Sequence, residues 1–170
     1  MPIVNTDLKI RLSGGSANTN VNASIGGARS STEVTDNSLN NIFDDVSGSE
    51  SLPGDTEYRC IYLYNNHGTL TAQNVRIYIS SNTTSADDTW TIGLGTSAIN
   101  GTEQGPLADE NTAPSGVTFS APTDYAGGLA SADIPAGQHR SVWYKRVVTA
   151  GAAAIDANAI SLKFDVDTSA

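Results

Sequence analysis

The side chains that could do chemistry are few and widely spaced. Two histidines and one cysteine are present, and neither His67 nor His139 stands at a metal-ligand spacing from the other or from Cys60. His67 belongs to Asn65-Asn66-His67-Gly68-Thr69, a tight-turn sequence, while His139 opens an apolar run. Cys60 lies between Tyr58 and Tyr62 in an aromatic stretch, where a free thiol acts as a small buried hydrophobe. Asp44-Asp45, Asp87-Asp88 and Asp109-Glu110 are adjacent acidic pairs that could make a weak calcium site, yet no Asp-rich loop with a central Gly and a terminal Glu accompanies them. Gly93-Leu94-Gly95, with Gly101 nearby, lacks the lysine and the following helix of a phosphate loop.

Catalysis needs a nucleophile with a base, a carboxylate pair or a set of metal ligands. The supply is too thin to assign any catalytic, cofactor-binding or metal-binding residue. The expectation is a cofactor-free domain, not an enzyme, that works by holding other proteins. Trp90 and Trp143 could stack on sugar rings, but in a chain with only two tryptophans both are read as core.

The elements that must position these residues are strands. Leu8, Ile10 and Leu12 alternate with Asp7, Lys9 and Arg11, and Ile160, Leu162, Phe164 and Val166 alternate with Ser161, Lys163 and Asp165. Period two marks strands with one face on a core. Residues 56–64, 75–79 and 142–148 are rich in aromatic and β-branched types and read as central strands. The first two are expected to form a hairpin, or a near neighbour of one, around the Asn-Asn-His-Gly turn. Trp90, Ile92 and Leu94 give a further short strand, and Val117 to Phe119 a weaker one. Helix is expected only near 38–46, where Leu39, Ile42, Phe43 and Val46 recur at helical spacing behind Asp36, Asn37 and Ser38. The Ala-rich stretch 149–154 contains Gly and reads as a loop. The fold expected is an all-β, single-domain β-sandwich over 1–170, immunoglobulin-like or jelly-roll, with one short helix and long polar loops.

Composition agrees. Charged residues are only 16% of the chain and glycines number 16, a profile of strands and turns. Nine basic against 18 acidic residues give a net charge of −9, which repels phosphate backbones, so nucleic acid is not an expected partner. Between Arg76 and Arg140 no Lys or Arg occurs, while Asp87, Asp88, Glu103, Asp109, Glu110, Asp124 and Asp133 do. Those acids read as an acidic face, a cation site or solvated loop tips. No apolar run approaches the roughly 20 residues needed to span a bilayer. Met1-Pro2-Ile3-Val4-Asn5 lacks the features of a signal peptide, so synthesis in a cytoplasm and no membrane partner are expected. A lone cysteine also excludes an intrachain disulfide.

Asn41-Ile-Phe-Asp-Asp-Val46, Glu57-Tyr-Arg-Cys-Ile-Tyr62, Ile92-Gly-Leu-Gly95, Asn100-Gly-Thr-Glu103 and Ile134-Pro-Ala-Gly-Gln-His-Arg140 together resemble the small virion proteins of tailed bacteriophages, of the capsid decoration or cement type. The resemblance implies a protein that binds the outside of a phage capsid and stabilises it. Its implied partner is the major capsid protein, its implied state a homotrimer, and its implied location the capsid surface after synthesis in a bacterial host. A carbohydrate-binding or adhesin-like sandwich and a tail or head-fibre component are the alternatives.

The irregular segment 13–37 holds little that is large and apolar beyond Val21, Ile25 and Val34, and Arg29 is its only basic residue. Too little apolar surface is present to offset backbone ordering of roughly 1–2 kcal/mol per residue. The segment is therefore expected to be loose in the free protein and to order on docking, with Val21, Ile25, Arg29 and Val34 forming the capsid or subunit contact.

Overall fold

The computed structural model describes residues 2–83, 85–155 and 158–168. Among them, seven strands run as β1 (Leu8–Leu12), β2 (Asp55–Asn65), β3 (Ala72–Ser81), β4 (Asp88–Leu94), β5 (Leu129–Ala130), β6 (His139–Val148) and β7 (Ser161–Thr168). They form two antiparallel sheets, ordered β1-β2-β6-β4 and β5-β3-β7. Ile61, Leu63, Val142, Tyr144, Trp90 and Ile92 of the larger sheet share one core with Val75, Ile77 and Ile79 of the smaller. The all-β, single-domain reading of the sequence is what the fold is.

β3 shows the alternation of a half-buried strand, with Val75, Ile77 and Ile79 at most 1% exposed and Arg76 and Tyr78 partly solvated. β2 and β6 differ, because both of their faces are buried. Tyr58, Cys60, Tyr62 and Trp143 point away from the smaller sheet and form a second core with Leu107, Val117 and Phe119. Segments 13–34 and 96–119 supply the cover for that outer face. The first half of β2 extends past β1, and its edge amides are satisfied by the same cover: Tyr58 donates to the Glu110 carbonyl at 2.7 Å and Cys60 to the Ser24 carbonyl at 2.7 Å.

Three expectations need correction. β2 and β3 do not pair as a hairpin; the turn between them crosses from one sheet to the other. Buried Asn65 holds that crossing, its Nδ2 donating to the carbonyls of Leu70 and Ile134 at 2.9 Å each and its Oδ1 accepting from the His67 amide. The helix lies at α1 (Gly48–Ser51), one turn behind a Ser47–Glu50 capping box, and not at 38–46. Asn37 and Asn40 take left-handed backbone angles of φ 56° and 55°, and a left-handed residue inside the stretch breaks helical propagation. Finally, 13–34 is packed and bonded, not loose. Gly14 donates to Gly26, Gly15 to Ala28, Ser30 to Leu12 and Gly27 to Gln104, all backbone to backbone, and Ser13, Ser24 and Ser30 are buried. Small residues order this segment by letting backbones approach, where the sequence reading counted only apolar area.

Gly26 shows the cost of that close approach. It combines φ 102° with a position where a Cβ would overlap the Gln104 carbonyl oxygen and press on the Trp143 ring. Gly15 has a similar φ of 104° but open space around it. Gly15→Ala is expected to lose about 1–3 kcal/mol from backbone strain alone, and Gly26→Ala distinctly more, with the difference read from urea denaturation of both variants.

Candidate functional site

The inward face of β2 and β6 carries charges where the strand pattern calls for apolar residues. Glu57 and Arg59 share the side of Ile61 and Leu63, and Arg146 shares that of Val142, Tyr144 and Val148; Glu57 and Arg146 are directly paired across the sheet. Glu57 is 2% and Arg59 0% exposed. Arg146 Nε donates to Glu57 Oε2 at 2.6 Å, and its Nη1 to the Asp44 carbonyl at 2.9 Å. Phe43 closes the cluster: the guanidinium carbons of Arg59 and Arg146 lie 5.2 and 4.8 Å from its ring centre, and Trp90 meets it edge-on at 4.8 Å. Cations over an aromatic face gain from its quadrupole, and more so when desolvated.

Asp44, Glu57 and Glu110 bring one carboxylate oxygen each within 4.8 Å of one another. The place a cation would take between them is filled by Nη2 of Arg59, which donates to Glu110 Oε2 and to Asn22 Oδ1, with Asp44 Oδ1 at 3.7 Å and Glu57 Oε1 at 3.9 Å. This is an internal ion network whose cation is the protein's own. Burial pushes the Glu57 carboxyl up to about 7 against the pull of the two guanidiniums, and its Oε1 receives no hydrogen bond.

A second carboxylate anchors the 96–104 loop to the outer face. Glu103 is buried. Burial works to raise it, but Ser141 Oγ, the Ser97 amide, Thr96 Oγ1 and the Gln104 amide donate to it and hold it down at about 2. Its own amide donates to Tyr62 Oη at 2.8 Å, and that hydroxyl donates to the Gly27 carbonyl at 2.6 Å. One phenol thus ties both covering loops to β2.

The other acids of the Lys- and Arg-free stretch serve locally as well. Asp88 accepts from Trp90 Nε1 and Asn158 Nδ2, the Asp87 carboxylate from the Ala153 amide, Asp124 from Gly127, Asp133 from Asn74, and Asp109 from Thr112. They are used as anchors and turn caps one by one.

Of the four residues expected at an interface, Val21 and Val34 line one groove and Ile25 and Arg29 are not part of it. Arg29 lies over the Tyr64 ring at 4.3 Å, and its Nε donates to His139 Nδ1. Ile25 is half-buried and its carbonyl accepts from the Leu107 amide. Val34 packs on the main core. Val21 and Val34 line a shallow groove of about 220 Å³ with Leu12, Thr32, Ser38 and Asn41. Trp90 and Trp143 are 9% and 0% exposed, so neither offers a stacking face. Cys60 is fully buried, and burial pushes its thiol well up. His67 Nδ1 accepts from the Thr69 and Leu70 amides as a turn residue.

The strap, residues 35–54 leading into β2, was read as helix over 38–46, and its exposed side was missed. Leu39 is 79% and Leu52 78% exposed, with Val46 at 36%, and Phe43 is the strap's fully inserted side chain. The signal for the ion network was available, since a charge at inward strand parity needs partners; nothing near Glu103 in the sequence foretold its role.

Two outcomes follow from the network and the packed loop. Glu57 raised from 4.5 to about 7 keeps a proton that the unfolded chain has released, so stability falls as pH rises across that window. Glu103 lowered from 4.5 to about 2 is ionised where the unfolded chain binds a proton, so its contribution is lost as pH falls from 4.5 toward 2. Melting temperature against pH is expected to show both limbs, with the upper limb flattened in Glu57→Gln and the lower kept. In the free native protein, trypsin is expected to leave the bond after Arg29 intact, as its side chain is held on Tyr64 and its backbone within the cover; rapid cutting there would show the segment to be loose. The chain matches no protein-family model, no curated protein and no solved structure.

Proposed function

We propose that the chain is a structural virion protein that binds the outside of a tailed-phage capsid and stabilises it, with the major capsid protein as its partner. The observation that carries this reading is the strap: Leu39 and Leu52, each more than three-quarters exposed, sit on a segment otherwise tied down by Phe43 and the ion network. Large apolar side chains held out on an anchored loop are suited to filling pockets on a partner. Ser38 and Asn41 of the strap also line the Val21–Val34 groove, beside Leu39 in the chain. The resemblance to decoration proteins supplies the identity of the partner. A tail or head-fibre location would use the same surface. The glycan-binding alternative has lost its aromatic platform, since both tryptophans are core.

The test is co-sedimentation with phage heads that lack the protein. Wild type is expected to pellet with the heads, and the Leu39→Asp, Leu52→Asp double variant to bind at least about tenfold more weakly, the scale of losing a small interface hot spot. Its melting temperature is expected to stay near that of wild type, because both side chains are already in water. Equal binding by the double variant, or no binding by wild type, would sink the reading.

A further inference from the structure

Among the described residues, β7 presents the longest run of sheet edge without a backbone partner. The outer edge of β1 is covered by residues 30–34, with Leu12 donating to Thr32, Ser30 to Leu12 and Val34 to Ile10. The outer edge of β4 is covered at Ile92, which exchanges both hydrogen bonds with Ser120. β5 is two residues long. β7 is eight residues long and pairs only with β3, and among the described residues no backbone group bonds its other edge. The core is also unfinished along it: Leu162, Phe164 and Val166 pack on the main core yet stay partly exposed, while the adjoining β3 residues are at most 1% exposed. An open edge of this length is a template for another strand.

The direction of the open groups is set by β3. Ile79 donates to the Pro122 carbonyl and Val75 accepts from Ser131, so the odd residues of β3 bond away from β7 and Arg76 and Tyr78 bond toward it. Their partners on β7 are Asp165 and Lys163. The amides and carbonyls of Leu162, Phe164 and Val166 therefore point outward, since a residue's two backbone groups share one side of a strand.

We propose that β7 pairs antiparallel with β7 of a second copy, in the register that sets Phe164 opposite Phe164, joining the two smaller sheets into one. Charge selects the partner and the register. With Phe164 on the two-fold axis, Lys163 of each copy lies opposite Asp165 of the other, at the closer, non-hydrogen-bonded positions. Sliding two residues one way sets Lys163 against Lys163; sliding the other way sets Asp165 against Asp165. Leu162, Phe164 and Val166 then exchange hydrogen bonds across the axis, and their half-buried side chains complete the core. A two-fold pair closes on itself, so the state expected is a dimer and not the homotrimer implied by the resemblance. The inference is independent of the capsid reading.

Sedimentation of the full chain over micromolar concentrations tests it, with Lys163→Asp and Asp165→Lys alone and mixed in equal amounts. Wild type is expected to dimerise, and each variant alone, now facing like charges, to dissociate at least about tenfold more readily. The mixture restores opposite charges at both sites and is expected to form mixed dimers, visible by mass in native mass spectrometry. A monomeric wild type, variants that associate as wild type does, or folded variants that fail to pair when mixed would each overturn the proposal. Amide exchange of the wild type gives a reading free of substitutions: Leu162, Phe164 and Val166 are expected to slow as concentration rises, and exchange that is fast at every concentration refutes the pairing.

Discussion

β2 is buried on both faces, and the rest of the molecule is arranged to make that possible. A three-stranded second sheet covers one side, where Ile61 and Leu63 meet Ile77 and Ile79. No third sheet exists among the described residues to cover Tyr58, Cys60, Tyr62 and Trp143 on the other. Irregular chain has to do it, and irregular chain carries unpaired amides and carbonyls that cannot be buried without partners. The answer is backbone-to-backbone bonding within and between the two covering segments, pinned at the centre by Tyr62 Oη and Glu103. Glycine and serine are the residues that allow such approach, which explains why segments of low hydrophobicity form the lid of a core.

The inward face of the same strand poses the opposite difficulty, since Glu57 and Arg59 occupy core positions. Desolvating a lone charge costs several kcal/mol, and a buried pair recovers it only with good geometry and added hydrogen bonds. Here two guanidiniums face three acidic side chains around Phe43, with Asn22 and the Asp44 carbonyl adding acceptors. An apolar cluster of equal volume would hold the fold as well, so the network is best understood through what it connects. It links β2 and β6 to the strap through Phe43 and Asp44, and to the cover through Asn22 and Glu110.

Strand placement was legible in the sequence because period two survives in β1, β4 and β7, each of which has one solvated face. β2, β3 and β6 were legible by composition instead, their aromatic and β-branched runs marking them as central. The crossing at Asn65 was not legible: its turn residues fit a hairpin equally well, and only the burial of Asn65 between Leu70 and Ile134 distinguishes the two. The helix was misplaced because Leu39, Ile42, Phe43 and Val46 have helical spacing, yet just Phe43 is fully buried and Asn40 breaks the turn. The looseness expected of the 13–37 segment was misjudged for a related reason. Apolar content measures how much a segment gains by leaving water, not how many hydrogen bonds it shares with its neighbours, and the 13–34 segment is held chiefly by the latter.

That distinction bears on where a binding surface can evolve. Residues 13–34 are part of the fold's own hydrogen bonding, so changes there disturb the second core before they reach any partner. Leu39 and Leu52 on the strap, and Lys163 on β7, are exposed, and side chains in water can be exchanged at small cost to stability. Asp165 is more constrained, because it also accepts from Tyr78 Oη at 2.6 Å. The strap and the open strand differ in kind: one presents side chains, the other backbone groups whose direction is dictated by β3. Among the described residues the outer edge of β1 is bonded by 30–34 and that of β4 is interrupted at Ile92, so β7 keeps the longest unpaired run.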